Sequence, residues 1–510
     1  MIAGPTRDVI DAVCRKAGVT RGQPDRLAAL SLALFDQGAP FHGLTQSARS
    51  LLELAAGLHA AYGTARPEGP VAALCGPGFP ETLTGFRDQW ERIVEDAWRM
   101  ADPGADAAGL VRRCRSAPRE VPLQVAARLA AILRLAAALS PPGGPAATLA
   151  GVSDGVNSVE LLVQTERGRR SCSARGMAAC ALWNGLFSEP IAAVRTTPAA
   201  AAGAPLVRPQ ESTGQVAHRI LLREWHYFFS RAYGIPYPDD TEFVHEMRVA
   251  VRRMRCALSL FAEDIGPRAA ALRRSLREIG ASLGAARDAD VFLAFLRRER
   301  NAAHGAQRPC LDRLLQAEQR KRRRRYGALA RLRSSPAYGR LRACGARWRA
   351  EAPRAGRTGE RIADGAPRLL LQELKRVRQY RRRLGAYSNA ELHRLRIGCK
   401  RARYAADFLC DVYPNRLDSV TGIMREMQRL LGDVHDADAY AERIRLQAAR
   451  FPECLGGRKA LHRIQPVLAR LDKQRKRSLK EASDLWRTFV RGGAADAASA
   501  VRRPFTPPAT

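Results

Sequence analysis

VHEMRVAVRRMRCALSLF, residues 244–261, and LHRLRIGCKRARYAADFL, residues 392–409, are two versions of one helix set 148 residues apart. Each opens beside a histidine and runs into a ladder of arginines. At ~100° per residue, Val244, Met247, Val251, Met254, Leu258 and Phe261 share one stripe, which predicts the core face. His245, Arg248, Arg252 and Arg255 form a second stripe beside it, and Arg253 lies off that stripe. The second copy repeats the pattern with His393, Arg396, Lys400 and Arg403, and with Arg401 in the off-stripe place. A further pair of segments keeps the same offset: REIGASLGAARDADVF from Arg277 and REMQRLLGDVHDADAY from Arg425. Two matching blocks at one constant spacing predict an internal duplication of a helical unit.

A run of cations along a helix with no intervening carboxylate costs like-charge repulsion, which Glu at i+4 would relieve. Neither ladder places one there. A solvated basic face is the plainer reading of any single charge run. Recurrence at identical register, with the histidine retained, favours a binding surface. Guanidinium forks match phosphate oxygens through charge-assisted bonds, and an extended ladder suits an extended ligand better than a compact anion.

The 510-residue chain carries 85 Lys+Arg against 50 Asp+Glu, a net charge of +35. Residues 1–210 hold 22 basic and 18 acidic residues, whereas residues 211–510 hold 63 and 32. The excess in the second part calls for a polyanionic partner. The 11 cysteines form no C-x-x-C pair, which suits buried thiols in a reducing compartment rather than a disulfide framework or a zinc site. MIAGPTRDVIDAV reaches charge before any apolar run, so no signal peptide is expected. The most apolar window, LQVAARLAAILRLAAAL from Leu123, is interrupted by Arg128 and Arg134 and predicts a core helix, not a membrane span. A soluble, cytoplasmic protein is expected.

Along the chain, residues 1–140 are Ala/Leu-rich with helical spacing, and SPPGGP at 140–145 ends the last of these helices. VELLVQT predicts a strand, ERGRR a turn to a second strand, and GMAACALWNGLF a helix after it. The Pro/Ala-rich stretch from Thr196 predicts a linker over 196–212. From Gln215 to about Trp486 the pattern is helical, with a break from Glu351 to Pro367 between the copies. A tail over 488–510, Ala/Gly/Pro-rich from Gly492, is expected to be disordered.

The pattern V-H-x-M-R-V-x-x-R-R-x-R, followed by L-G-x-x-R-D-x-D-V and a degenerate second copy ending L-G-D-x-H-D-A-D, resembles the CHAD domain. The resemblance spans about residues 213–487, with copies over about 213–350 and 366–487. It implies two helical bundles related by a pseudo-twofold and a basic central surface that binds inorganic polyphosphate. It implies ligand roles for His245, Arg248, Arg252, Arg253 and Arg255, and for His393, Arg396, Lys400, Arg401 and Arg403. Arg277 and Arg425 correspond to each other and are second-tier candidates; Arg287 and His435 also correspond. Asp288, Asp290, Asp436 and Asp438 raise the question of a metal. Alternate residues on a helix point about 200° apart, so salt bridges or caps that aim arginines are the expectation.

Residues of about 20–195, through LLELAAGLHAAYG, RLAAILRLAAALS and VELLVQT, resemble the helical HD-type domain of exopolyphosphatases and guanosine pentaphosphate phosphatases. The predicted organisation is therefore mainly α: a degenerate HD-like domain with a small β segment over 1–195, then the duplicated bundles. In working sites of that type a His-Asp doublet supplies metal ligands. Here His59 is followed by Ala60, and His42 reads as structural. No catalytic group, metal or cofactor is expected. The leading reading is non-catalytic polyphosphate binding, with association to polyphosphate granules. Non-specific nucleic-acid binding is the second, although no helix-turn-helix, zinc finger or RNP motif is present and few aromatics flank the basic runs. Hydrolysis of polyphosphate or a nucleotide polyphosphate is the third, and it lacks a nucleophile or metal constellation. Oligomeric state is not readable from the sequence.

Overall fold

The computed structural model describes residues 10–12, 14–15, 17, 22–63, 85–86, 88–142, 147–155, 158–165, 169–187, 189–197, 207–266, 268–305, 307–351, 356, 359–380, 382–413, 416–450 and 457–493. The part of the tail from residue 494 onward lies outside them, as do residues 198–206. The described chain is mainly helical, with one small mixed sheet in its N-terminal half. It divides into two compact units. Unit 1 comprises Met1–Pro205, Leu222–Val251 and Leu329–Ala352; unit 2 comprises Leu206–Leu221, Arg252–Ala328 and Pro353–Thr510.

Unit 1 contains α1 (Gly22–Gln37), α2 (Ala39–His42), α3 (Arg49–Tyr62), α4 (Trp90–Met100), α5 (Ala107–Ser116) and α6 (Val121–Leu139). Strands β1 (Thr148–Gly155) and β2 (Ser158–Gln164) follow, then α7 (Arg169–Ala179), α8 (Ala181–Leu186) and β3 (Ile191–Thr197). Among the described residues α6 alone is long and apolar enough to cross a membrane. It is a core helix instead: Val125, Leu129, Ile132, Leu133 and Leu139 are fully buried. Its Arg134 is buried as well, and its guanidinium donates to the carbonyls of Asp102 and Ala105. Such bonds are what a buried cation requires.

The sheet order is β1-β2-β3, with β1 antiparallel and β3 parallel to β2. Val159, Leu161 and Val163 alternate inward along β2. The strand expected over VELLVQT is present, but the strand expected after ERGRR is not. Residues from Arg169 are helical, because a parallel partner needs a crossover, and α7 with α8 supplies it. The antiparallel partner is β1, which precedes β2.

Later helices are α9 (Thr213–Ser230), α10 (Glu242–Leu260), α11 (Ala262–Ile265), α12 (Arg268–Ala302), α13 (Gln307–Ala330) and α14 (Pro336–Ala350). After them come α15 (Ile362–Arg378), α16 (Asn389–Leu409), α17 (Asp418–Ala448) and α18 (Gly457–Thr488). At the 148-residue offset α9 corresponds to α15, α10 to α16, α12 to α17 and α13 to α18. The inter-copy break is shorter than its composition suggests. Burial of Ile362, Ala366, Leu369 and Leu370 carries α15 through Pro367, outweighing the backbone bond that proline removes.

Within unit 2, one core joins α15–α18 through Leu374, Leu395, Cys399, Met424, Met427, Leu431 and Trp486. A second joins α12, α13, α17 and α18 through Phe292, Leu296, Leu311, Leu314, Ile444, Ile464 and Val467. The start of α16 is set by a capping box. Ser388 Oγ accepts the Glu391 N–H, and the Glu391 carboxylate accepts the Ser388 N–H at 2.8 Å.

Candidate anion-binding site

α10 contributes its residues through Val251 to unit 1 and those from Arg252 to unit 2. Its apolar stripe is buried as the sequence predicts: Val244, Met247, Val251, Met254, Leu258 and Phe261 are at most 1% exposed. His245 and Arg248, on the unit 1 portion, are half-buried. The remaining ladder residues belong to unit 2, where α10 and α16 can be read together.

Arg252 and Lys400 occupy equivalent positions in the two copies, and the charge of Arg252 acts on Lys400. Burial, and after it the charges of Arg252, Arg396 and Arg255, together lower the Lys400 pKa from 10.5 to about 8, against an opposing effect of Cys256. Four cations therefore converge, two from each copy. The same self-pairing recurs below. Phe292 packs at a tilt against its own counterpart Tyr440 with centroids 4.9 Å apart, and burial, then Asp433 and Asp288, raise the pKa of Asp436, the counterpart of Asp288, against Arg396 and His435.

The off-stripe arginines are engaged within the protein. Arg253 pairs with Asp407 at 3.8 Å and lies 4.8 Å above the Phe408 ring. Arg401 donates to Ser259 Oγ at 2.8 Å and to the buried Glu373 carboxylate at 2.9 Å. Ser259 and Asp407 are themselves equivalent positions, so each off-stripe arginine reaches across to the same place in the other copy. These partners escape sequence reading. Their one signal is position, six residues beyond each arginine in both copies.

His393 packs at a tilt against His435 of α17 with centroids 5.0 Å apart. Burial lowers its pKa, assisted by His435, Arg396 and Lys400. Arg403 is half-buried and lies 4.7 Å from the Tyr404 ring, while Arg255 and His435 are exposed. Arg277 and Arg425 stand exposed on α12 and α17, roughly three turns ahead of Arg287 and His435. Asp290 and Asp438 form salt bridges of the expected kind, with residues outside the ladders. Asp290 accepts from Arg322 at 2.6 Å and from the Tyr326 hydroxyl at 2.8 Å, and Asp438 accepts from Arg475 at 2.7 Å. Among the described residues no cluster of three or more His, Cys, Asp or Glu could hold a metal ion.

In unit 1, His42 has both ring nitrogens occupied, by the Phe35 carbonyl at 2.7 Å and the Leu44 N–H at 3.0 Å. Burial holds it neutral, with its pKa lowered to about 3. His59 lies in the last turn of α3, its pKa lowered by burial.

The histidine pair leads to an expectation. A bound polyanion would raise the His393 pKa from its lowered value, so binding takes up protons and tightens as pH falls through and below 6.5. Titration calorimetry in buffers of different ionisation enthalpy reads that uptake, and His393→Ala is expected to reduce it.

Residues 221–445 match the CHAD domain, a family associated with polyphosphate binding. The N-terminal region has no family assignment. Among solved structures the chain is similar to the CHAD domain from the plant Ricinus communis, at 25% identity over 57% of this chain and 93% of that one, with a TM-score of 0.44. It is also similar to PptA from Streptomyces chartreusis, at 17% identity over 54% and 99%, with a TM-score of 0.43. No curated protein matches it.

Proposed function

We propose that this protein binds inorganic polyphosphate, without hydrolysing it, on the basic surface of its CHAD domain. The observation that carries the reading is the convergence of Arg252, Arg255 and Arg396 on Lys400, whose charges add to the larger effect of burial in lowering the lysine pKa to about 8. Holding like charges together costs free energy, and a chain of phosphates offsets that cost. The contacts of Arg253 with Asp407, of Arg401 with Ser259 and of Phe292 with Tyr440, which join corresponding positions of the two copies, support two bundles related by a pseudo-twofold. On this reading Arg253 and Arg401 are struts that hold the ladder helices in place, and phosphate contacts fall to the residues around Lys400 with His393. Granule association follows from the same binding.

Competition tests the reading. Labelled polyphosphate bound at physiological salt should survive excess duplex DNA at equal phosphate concentration. Displacement would instead favour non-specific nucleic-acid binding. Affinity should fall steeply with salt, because each neutralised phosphate releases counterions; this extends to polyphosphate what holds for nucleic acids. A flat salt dependence would mean that few ladder residues touch the ligand.

Unit 1 is proposed to be catalytically silent. Ala60 stands where a metal would need a carboxylate, and both nitrogens of His42 are committed. Incubation with polyphosphate and Mg²⁺ or Mn²⁺ should release no phosphate above background. Turnover lost in His59→Ala would overturn this.

A further inference from the structure

The two ladder helices are equivalent in the duplication, but their first turns are fastened differently. We propose that the stretch Ala39–Ser47 of the N-terminal region is a positioning element for the first ladder: it holds the start of α10 so that His245 and Arg248 meet the ligand. The inference rests on the reading of the ladders as a polyphosphate surface, and it gives the N-terminal region a role.

All the residues concerned belong to unit 1. Asp240 stands just before α10 and is fully buried. It accepts the Glu242 N–H at 3.0 Å, and also the Thr45 hydroxyl at 2.7 Å and the Ser47 hydroxyl at 3.2 Å. Glu246, the residue after His245, is buried too; it accepts the Gln46 N–H at 2.9 Å and the Tyr227 hydroxyl at 3.0 Å. It pairs with Arg231, whose buried guanidinium donates to the carbonyls of Ala39 and Leu44 at 2.9 Å each. Gly43, at φ +69°, lets the stretch lie against α9, where a Cβ would stand 2.1 Å from the Ser230 carbonyl oxygen. Phe86 closes the contact against Tyr237 and Phe243, with centroids 5.6 and 6.4 Å away.

The second ladder starts from its own resources. Ser388, at the position equivalent to Asp240, caps α16 through Glu391 of the same helix. Arg394, at the position equivalent to Glu246, is exposed. The histidine and arginine ladder thus recurs in both copies, whereas carboxylates turned towards the N-terminal region belong to the first alone.

Buried carboxylates and a buried guanidinium resist separation, because each would be left without its partners. The same contacts fix the turn that carries His245, and Arg248 follows one turn later on the helix. Binding side chains work when their support holds them to within about 0.5 Å, and here the support comes from a distant part of the chain.

The test uses the full chain with Thr45→Val and Ser47→Ala together, which removes both hydroxyls from Asp240 and changes no charge. Hydrogen exchange of the amides at 242–248 should quicken about fivefold or more, while exchange at 390–396 stays as in wild type. Polyphosphate affinity should fall about threefold, and the slope of log affinity against log salt should shrink, because fewer cations reach phosphate. Arg248→Ala should shrink that slope by about one. Adding the two hydroxyl changes to Arg248→Ala should cost little further affinity, since they act through the same contact. Using Thr45→Ser in place of Thr45→Val should recover part of the loss. Faster exchange with unchanged affinity and slope would make the contact structural alone and overturn the proposal, as would unchanged exchange at 242–248. If the double variant fails to fold, Ser47→Ala alone is read in the same way. Wild-type protein is titrated alongside: without polyphosphate binding there, the reading of the ladders fails, whereas normal binding matched by the variant sinks this inference alone.

Discussion

Replacing Arg252 or Lys400 with alanine is expected to weaken polyphosphate binding about tenfold or more. A charge-assisted phosphate contact contributes on the order of 1.5–3 kcal/mol before screening, which corresponds to roughly ten- to hundredfold in affinity. The two residues are equivalent in the duplication and the charge of one acts on the other, so one short stretch of ligand is expected to meet both. Short chains should therefore register either substitution, and the double variant should fall short of the product of the two single effects. Both residues lie beside the apolar stripe of their helix, so melting temperature should hold or rise as repulsion is relieved. In Arg252→Ala the Lys400 pKa should move back towards 10.5, because a depressing charge is gone. Calorimetric titration of the four proteins with short and long chains decides the matter. If Arg252→Ala abolished binding while Lys400→Ala changed nothing at any chain length, the second copy would be structural and the shared surface would be refuted.

The largest loss of stability is expected at Glu318, far from any ladder residue in sequence. Its side chain is fully buried, and it receives Lys321 at 2.8 Å, Gln447 at 2.7 Å and the Arg443 guanidinium from α17. Glu318→Ala removes the carboxylate and leaves Arg443 and Gln447 without it. Breaking a buried pair from one side costs about 3–5 kcal/mol. Denaturant melts should show that loss, while polyphosphate affinity, measured where the variant is still folded, should be unchanged. The pH dependence has a definite sign. Burial alone would raise the Glu318 pKa, but Lys321 and Arg443 outweigh it and hold the pKa below 4.5. Its stabilisation is then fully present above 4.5 and is lost as pH falls through the lowered folded value. Wild-type protein should lose stability over that acid range, and Glu318→Gln should lose less. An unchanged melt for Glu318→Ala would mean that this network contributes nothing net.

The sequence by itself determined the helices and the duplication. Period 3.6 marks the stripe from Val244 to Phe261, and that stripe is buried throughout. The 148-residue offset matches α9 to α15, α10 to α16, α12 to α17 and α13 to α18, because apolar spacing is a local property that survives divergence. It also marked the ladder, since cations without neighbouring carboxylates are visible along one helix. The small sheet was half legible. β2 alternates cleanly, but its parallel partner β3 lies 27 residues away behind two helices, a pairing that no local pattern encodes. Only the tertiary structure decided which cations do what. Arg252 and Arg253 are neighbours in the chain and look alike there. Folding brings the charge of Arg252 to bear on Lys400, and sends Arg253 to Asp407 and the Phe408 ring. One residue of difference turns a side chain by ~100° about the helix axis, and what it then meets is fixed by a helix roughly 150 residues further along.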